Sequence, residues 1–124
     1  MHYKPNYSIY LQVADYMCEK ILTESWKNSE KIPSLRELSM ETSVNPNTVV
    51  KSLNWLQDHG ILQTRRGIGY FLTDTALEKT VELKRNQFIR EDLPEVFTNM
   101  KLLNVGMEEF RELFEQQRKQ RKLP

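Results

Sequence analysis

The sequence predicts a mainly α-helical fold with one small β-hairpin, and three observations lead to this class. Two helix-start signals lie close together, at Ser34 and at Asn45. Two strand-like segments then flank a glycine-rich turn, after a helix stop at Gly60. Apolar residues at helical spacing continue on both sides. Two short helices at a tight turn, followed by a hairpin, form a winged helix-turn-helix, which we predict for residues 7–73, with a helical extension over 74–124.

Composition limits the class of protein. The 124 residues are 39% hydrophobic and 28% charged, which suits one globular unit with a small annex. No apolar run approaches the roughly 18 residues that span a bilayer, and no apolar segment follows the N-terminus as in a signal peptide. We therefore expect a cytoplasmic protein without a membrane partner. Cys18 is the only cysteine, so an internal disulfide is excluded. With a net charge of +1, any charge for nucleic-acid binding must be local.

The first helix is predicted over residues 8–25. Ser8 precedes it and is a suitable N-cap, because its hydroxyl can accept a hydrogen bond from a free amide of the first turn. Apolar residues spaced by four form one stripe of this helix: Ile9, Val13, Met17 and Ile21.

A capping box marks the start of the second helix. In Ser34-Leu35-Arg36-Glu37, the Ser34 hydroxyl can accept from the Glu37 amide, and the Glu37 carboxylate can accept from the Ser34 amide. We predict a short helix over residues 35–42 that turns Leu35 and Leu38 inward. This helix is the first of the helix-turn-helix.

The third helix has a clear start and a clear end. Asn45 is a favourable N-cap, and Pro46 fits the first helical position, where its missing N–H costs nothing. Gly60 can adopt the positive φ that ends a helix. The buried stripe of this helix is predicted to be Val49, Leu53 and Leu56.

The hairpin is predicted from two segments rich in strand-forming residues, 61–64 and 70–73. Between them, Arg65-Arg66-Gly67-Ile68-Gly69 supplies the turn, which places both arginines at the hairpin tip. Two cations at an exposed tip are unfavourable unless an anion lies nearby.

The extension is predicted to be helical but cannot form its own core. A helix restarts at Asp92-Leu93-Pro94, Gly106 interrupts it, and a last amphipathic helix begins at Met107. About 50 residues are too few to bury an independent core. The apolar faces must therefore pack on the first domain, on each other or on a second copy of the chain.

Several spaced motifs carry a resemblance to a known family. The sequence resembles the GntR family of bacterial transcriptional regulators over about Tyr7 to Thr73. The motifs that carry the resemblance are Ile32-Pro33-Ser34-Leu35-Arg36-Glu37-Leu38, His59-Gly60-Ile61-Leu62 and the predicted hairpin over residues 61–73, which we call the wing. Val44-Asn45-Pro46-Asn47-Thr48-Val49, with the Arg-Gly-x-Gly wing, is similar to the YtrA subfamily. That resemblance implies dimerisation through a short helical C-terminal extension. The expected interface residues are Leu93, Val96, Phe97, Met100, Phe110 and Phe114.

The resemblance also implies DNA contacts, with two departures. Many members carry Ser-Arg-Thr-Thr where this chain has residues 45–48, and many have arginine in place of Val50. Contacts made by those two arginines therefore do not transfer. The other DNA-contacting positions of the family are matched in this sequence, and Lys51 on the exposed face of the third helix is added to them. The predicted DNA-binding set is Arg36, Asn45, Asn47, Thr48, Lys51, Arg65, Arg66 and Gly67.

Each of these residues has a simpler alternative role. The N-terminal turn of a recognition helix enters the major groove, where an asparagine such as Asn47 can pair with adenine. Asn45 and Thr48 could instead be plain helix caps. Arg36 could instead form a surface ion pair with a neighbouring glutamate, and Lys51 could lie on a solvated helix face.

No enzyme is predicted. Neither a catalytic triad nor paired carboxylates appear, the two histidines have no partners at metal-ligand spacing, and no cofactor is expected. We predict a homodimeric regulator, expected to be a repressor, that binds a pseudo-palindromic double-stranded operator. A winged-helix module for protein interaction, with no operator of its own, is the alternative. Whether a small effector binds stays open.

Overall fold

The computed structural model describes residues 7–120 and confirms the predicted fold class. It is mainly helical, with one two-stranded antiparallel hairpin. The elements in chain order are α1 (Ile9–Leu22), α2 (Leu35–Thr42), α3 (Pro46–Asp58), β1 (Leu62–Arg65), β2 (Gly69–Leu72), α4 (Ala76–Gln87), a π-helical segment (Phe88–Asp92), α5 (Leu93–Leu102) and α6 (Met107–Gln120).

Helices α2 and α3 begin and end where their local signals predict. The Ser34 hydroxyl accepts from the Glu37 amide at 3.1 Å, and the Ser34 amide donates to the Glu37 carboxylate at 3.0 Å. At the end of α3, Gly60 has φ +72°, and its amide and that of Ile61 donate to the carbonyls of Gln57 and Leu56. This Schellman pairing satisfies the last carbonyls of the helix.

Helix α1 is shorter than predicted and is not capped as predicted. It ends at Leu22 rather than near Ser25. Ser8 occupies the N-cap position, but its side chain makes no capping hydrogen bond, so that prediction was wrong. The Ser8 carbonyl instead accepts from the amide of Gln12 at 3.1 Å, as in any first helical turn.

One hydrophobic core joins α1, α2, α3 and the base of the hairpin. Leu35 and Trp26 pack against it half-buried, and Ile9 is 41% exposed at the start of α1. The other predicted stripe residues are buried, and Cys18 is buried among them. The buried set includes Val13, Met17, Cys18, Ile21, Leu38, Val49, Leu53, Leu56, Ile61 and Leu72.

Helix α4 completes this core. Ala76 and Thr80 are buried, and the Lys84 ammonium lies 2.9 Å from the Asp15 carboxylate on α1. Burial opposes the charge of Lys84, but the hydrogen bond and charge of Asp15 outweigh it, so the pKa of Lys84 is raised. Asn28, far away in sequence, accepts from the Leu77 amide at 2.9 Å at the start of α4.

The chain forms two compact units that divide between Lys84 and Arg85. Helix α4 as far as Lys84 therefore belongs to the unit that contains the helix-turn-helix and the hairpin. Where the functional boundary between DNA binding and dimerisation lies stays a prediction.

The second unit contains the π-helical segment, α5 and α6, and one boundary prediction there was wrong. Helical hydrogen bonding is not interrupted at Asp92, because the Leu93 amide donates to the Phe88 carbonyl five residues earlier. This wider turn precedes Pro94, which lacks an N–H and would crowd a regular helix. The predicted interruption at Gly106 is present, because Gly106 lies in the break between α5 and α6, but the residue with a positive φ at the end of α5 is Asn104, with φ +57°.

The two units differ in burial. Between residues 85 and 120, no side chain is buried. Within the described ranges, no helix has both the length and the apolar character that a membrane crossing requires.

Candidate nucleic-acid interface

The start of α3 presents an exposed, capped helix end. The Asn45 side-chain oxygen accepts from the Asn47 amide at 2.8 Å, and the Asn45 carbonyl accepts from the amides of Thr48 and Val49. Asn45 therefore does act as a helix cap. The side chain of Asn47 is exposed, Thr48 is half-buried, and the first turn carries no acidic residue. Such an end attracts an anion through its dipole.

Arg36 on α2 is exposed, and both glutamates that could neutralise it are engaged elsewhere. The Glu37 carboxylate closes the capping box, and the backbone and side-chain hydrogen bonds with Ser34 lower the pKa of Glu37. The Glu41 carboxylate accepts from the Tyr16 hydroxyl at 3.1 Å. Burial, followed by this bond to Glu41, raises the pKa of Tyr16. Within residues 7–120, Arg36 forms no ion pair with either glutamate.

Lys51 lies on the exposed face of α3 and is partly immobilised. Its ammonium sits 4.3 Å from the centroid of the Tyr10 ring on α1, a cation–π contact. The same two helices are tied by the Ser52 hydroxyl, which donates to the Tyr10 carbonyl at 2.6 Å. The side chain of Lys51 is therefore more ordered than that of a freely solvated lysine.

The hairpin differs from its prediction at Arg65. Arg65 is the last residue of β1 and pairs with Gly69, so it does not lie in the turn as predicted. The turn consists of Arg66, Gly67 and Ile68, closed by the Ile68 amide, which donates to the Arg65 carbonyl at 2.9 Å. Gly67 has φ +75°, and a Cβ there would meet no atom within 4 Å. The backbone at the tip is thus open to close approach.

Packing places the hairpin beside α3. Helix α2 packs against α3, and α3 packs against β1. The Thr64 hydroxyl donates to the side-chain oxygen of Gln57 at 3.0 Å, which links the hairpin to α3. The predicted residues on α2, on α3 and on the wing are therefore carried by three successively packed elements, and Arg36, Asn47, Lys51, Arg65 and Arg66 are exposed.

Sequence reasoning missed one cation on the wing. Lys31 is not in the predicted DNA-binding set, but it forms an isolated antiparallel bridge with Phe71 of β2. The short segment between Ser29 and Pro33 is extended because it pairs with β2, about 40 residues later in the chain. A pairing over that distance leaves no pattern in the local sequence.

The predicted interface residues of the extension lie on the surface of the second unit. Phe97 is 47% exposed and Phe114 is 55% exposed, whereas Leu93, Val96, Met100 and Phe110 are half-buried. Phe97 and Met100 also line an open groove of about 350 Å³ beside the turn between α5 and α6. The groups of acidic, cysteine and histidine side chains needed for a metal ion are not found within residues 7–120.

The chain is similar to known bacterial regulators. The family described as bacterial regulatory proteins, gntR family, matches residues 9–72. Two proteins of Bacillus subtilis (strain 168) are each 35% identical over 104 residues, which is 84% of this chain. They are the uncharacterized HTH-type transcriptional regulator YhcF, covered over 84% of its length, and the HTH-type transcriptional repressor YtrA, covered over 79%.

Solved structures agree with the family match. A putative GntR-family transcriptional regulator from Bacteroides thetaiotaomicron is 30% identical, with a TM-score of 0.73 over 91% of this chain and 98% of that one. The DNA-binding domain of AraR, solved in complex with operator ORX1, is 25% identical, with a TM-score of 0.55 over 59% of this chain and 93% of that one. None of these four names is that of an enzyme.

Proposed function

Because the chain belongs to the GntR family of transcriptional regulators, and to its YtrA-like subfamily, we propose that it is a homodimeric repressor that binds a pseudo-palindromic DNA operator. The observation that carries the proposal is the exposed N-terminus of α3, capped by Asn45 and flanked by exposed cations on α2 and the wing. The similar AraR domain is known in complex with an operator, which supports the same mode of binding here.

The interface divides into residues that read bases and residues that hold phosphates. Asn47 and Thr48 in the first turn of α3 would reach base edges in the major groove, where asparagine pairs with adenine. Arg36, Lys51 and the wing arginines would bind phosphates, which fix the register and supply affinity without sequence preference. Gly67 at the wing tip lets the backbone approach the DNA closely. Asn45 orders the helix end and is free to contribute only through its remaining polar atoms.

The extension supplies the dimer contact in this proposal. Within residues 85–120 large apolar side chains are exposed and none is buried. A second copy of the chain would bury these side chains in a dimer contact. A two-fold dimer would place the two recognition helices in successive major grooves, roughly 34–36 Å apart. Residues 7–73 then act as the DNA-binding domain and 74–124 as the dimerisation extension.

Repression and location follow from the relatives. The similar protein YtrA is named a repressor, and a dimer seated on an operator blocks access to the DNA beneath it. The protein would act in the cytoplasm, where the bacterial chromosome lies.

A salt series tests the proposal. Binding to random duplex DNA is measured by fluorescence anisotropy at salt concentrations from about 50 to 200 mM. A plot of the logarithm of the binding constant against the logarithm of the salt concentration should have a negative slope of several units, and this is the log–log salt slope. An operator enriched from a random pool should then bind at least about a thousandfold more tightly. If random duplex DNA does not bind, or binds with an affinity that is independent of salt, the protein-interaction module is favoured instead. The net charge of +1 permits that alternative.

A further inference from the structure

The outward face of the wing carries two cations around one aromatic ring. Side chains alternate between the two faces of a strand, and Leu62 and Leu72 point into the core. The opposite face therefore carries Arg65 from β1 and Phe71 from β2. Lys31 joins the same face, because it is the direct bridge partner of Phe71.

Arg65 is held over Phe71. Its guanidinium carbon lies 4.1 Å from the centroid of the Phe71 ring, which is stacking distance for a planar cation. The pair is diagonal across the hairpin, since Arg65 pairs with Gly69 and Phe71 pairs with Gln63. The ring fixes the direction of a side chain that would otherwise sample many rotamers.

Lys31 is held on the other edge of β2. The Ile32 amide donates to the Tyr70 carbonyl at 3.0 Å, and the Leu72 amide donates to the Glu30 carbonyl at 2.9 Å, which fixes the backbone on both sides of Lys31. Its side chain crosses Gly69, where a Cβ would lie 3.2 Å from the Lys31 Cε and 3.9 Å from its Nζ. The absence of a side chain at Gly69 therefore gives Lys31 its path across the strand.

No acid within residues 7–120 neutralises these two cations in an ion pair. The Glu37 carboxylate feels the charge of Lys31, but it is already bonded to Ser34, and the hydrogen bonds with Ser34 are the main cause of its lowered pKa. Two cations held on one rigid face repel each other, and that repulsion is relieved when an anion binds between or beside them.

We propose that Lys31 and Arg65 form a phosphate clamp on the outward face of the wing, with Phe71 as the residue that positions Arg65. The ligand is the phosphodiester backbone of the operator DNA, so the inference rests on the proposed function. Lys31 lies outside the helix-turn-helix and outside the predicted set of DNA contacts. The clamp carries no base preference, and it makes the wing a source of affinity that is already ordered before DNA arrives.

The Lys31 arm of the test compares two lysines in the full-length chain. Lys31→Ala should weaken binding about fivefold to tenfold on every duplex at 0.1 M salt and lower the log–log salt slope by about 1. Lys20→Ala is the matched control, because Lys20 lies over the Tyr16 ring on α1 and its loss changes the net charge equally. It should leave the slope unchanged. An equal effect of both variants would overturn the clamp.

The Phe71 arm is a double-mutant cycle. Phe71→Leu should weaken DNA binding about threefold when Arg65 is present and should have no further effect in an Arg65→Ala background. Equal losses in the two backgrounds would show that Phe71 acts only through the fold. If Phe71→Leu lowers the Tm, the Lys31 arm still decides, because Lys31 is exposed.

The two levels of the proposal fail differently. A wild-type chain without salt-dependent DNA binding would overturn the proposed function itself. Salt-dependent binding by the wild type, together with an unchanged slope for Lys31→Ala, would overturn only the clamp.

Discussion

The two compact units of the chain bury their apolar side chains to very different extents. The unit that ends at Lys84 encloses one core of fully buried residues from α1, α2, α3, α4 and the hairpin. The unit from Arg85 to Gln120 buries none of its side chains, although it carries four phenylalanines. The first unit buries its apolar side chains in a core of its own, whereas the second leaves large apolar side chains exposed, which is the basis for the proposed dimer contact.

The largest effect we expect is from truncation of a core leucine in the first unit. Leu53→Ala removes a fully buried side chain from α3 and should lower the free energy of unfolding by about 2–5 kcal/mol, measured by urea denaturation. The same change at Leu102, which is 76% exposed, should cost less than about 0.5 kcal/mol in a chain kept monomeric. Equal losses at the two positions would remove the difference between the units.

The next effect concerns association rather than folding. Phe97→Asp combined with Phe114→Asp should abolish the dimer in sedimentation and weaken operator binding by about 100-fold or more, because two linked half-site contacts become one. Asn99→Asp with Gln117→Asp adds the same charge at exposed polar positions and should leave the dimer intact. A chain that sediments as a monomer at micromolar concentration before any substitution would refute the dimer.

The smallest effect is a pH dependence that belongs to the first unit. The capping box lowers the pKa of Glu37, so its stabilisation of α2 is complete above the ordinary glutamate pKa and is lost as the pH falls through the lowered value. Glu37→Gln keeps the hydrogen-bonding shape but not the charge. The stability advantage of the wild type over this variant should therefore shrink as the pH falls below about 4.3. A constant advantage down to pH 3 would refute the assignment.

Sequence reasoning succeeded where the cause of a structure is local. The start of α2 depends on Ser34 and Glu37, three residues apart, and the start of α3 depends on Asn45 and Pro46. The end of α3 depends on the positive φ of Gly60. Each cause acts within one turn of helix, so the bounds of these elements could be predicted closely.

Sequence reasoning failed where two local signals compete or where the partner is distant. Asn104 ends α5 although Gly106 is the residue that a sequence reader would choose. The π-helical turn accommodates Pro94, so helical hydrogen bonding continues where a break was predicted. Asn28 at the start of α4 and Lys31 beside Phe71 both depend on pairings that span about 40 to 50 residues. No periodicity or capping pattern reports such contacts.

The wing is the part of the candidate site where these two kinds of cause meet. Its turn was predicted from Gly67 and Gly69, but the strand position of Arg65 and its stacking on Phe71 arise from the register of the hairpin. Because the first turn of α3 lacks arginine, we expect the wing to supply much of the phosphate binding.

The salt dependence of DNA binding by the wild type and by Arg65→Ala/Arg66→Ala tests the central claim most directly. We expect the double variant to bind more weakly to all sequences, with a log–log salt slope smaller by about 2, while its sedimentation and its Tm stay close to those of the wild type. An unchanged slope, with DNA binding otherwise intact, would contradict the claim that the wing of this protein holds the DNA backbone.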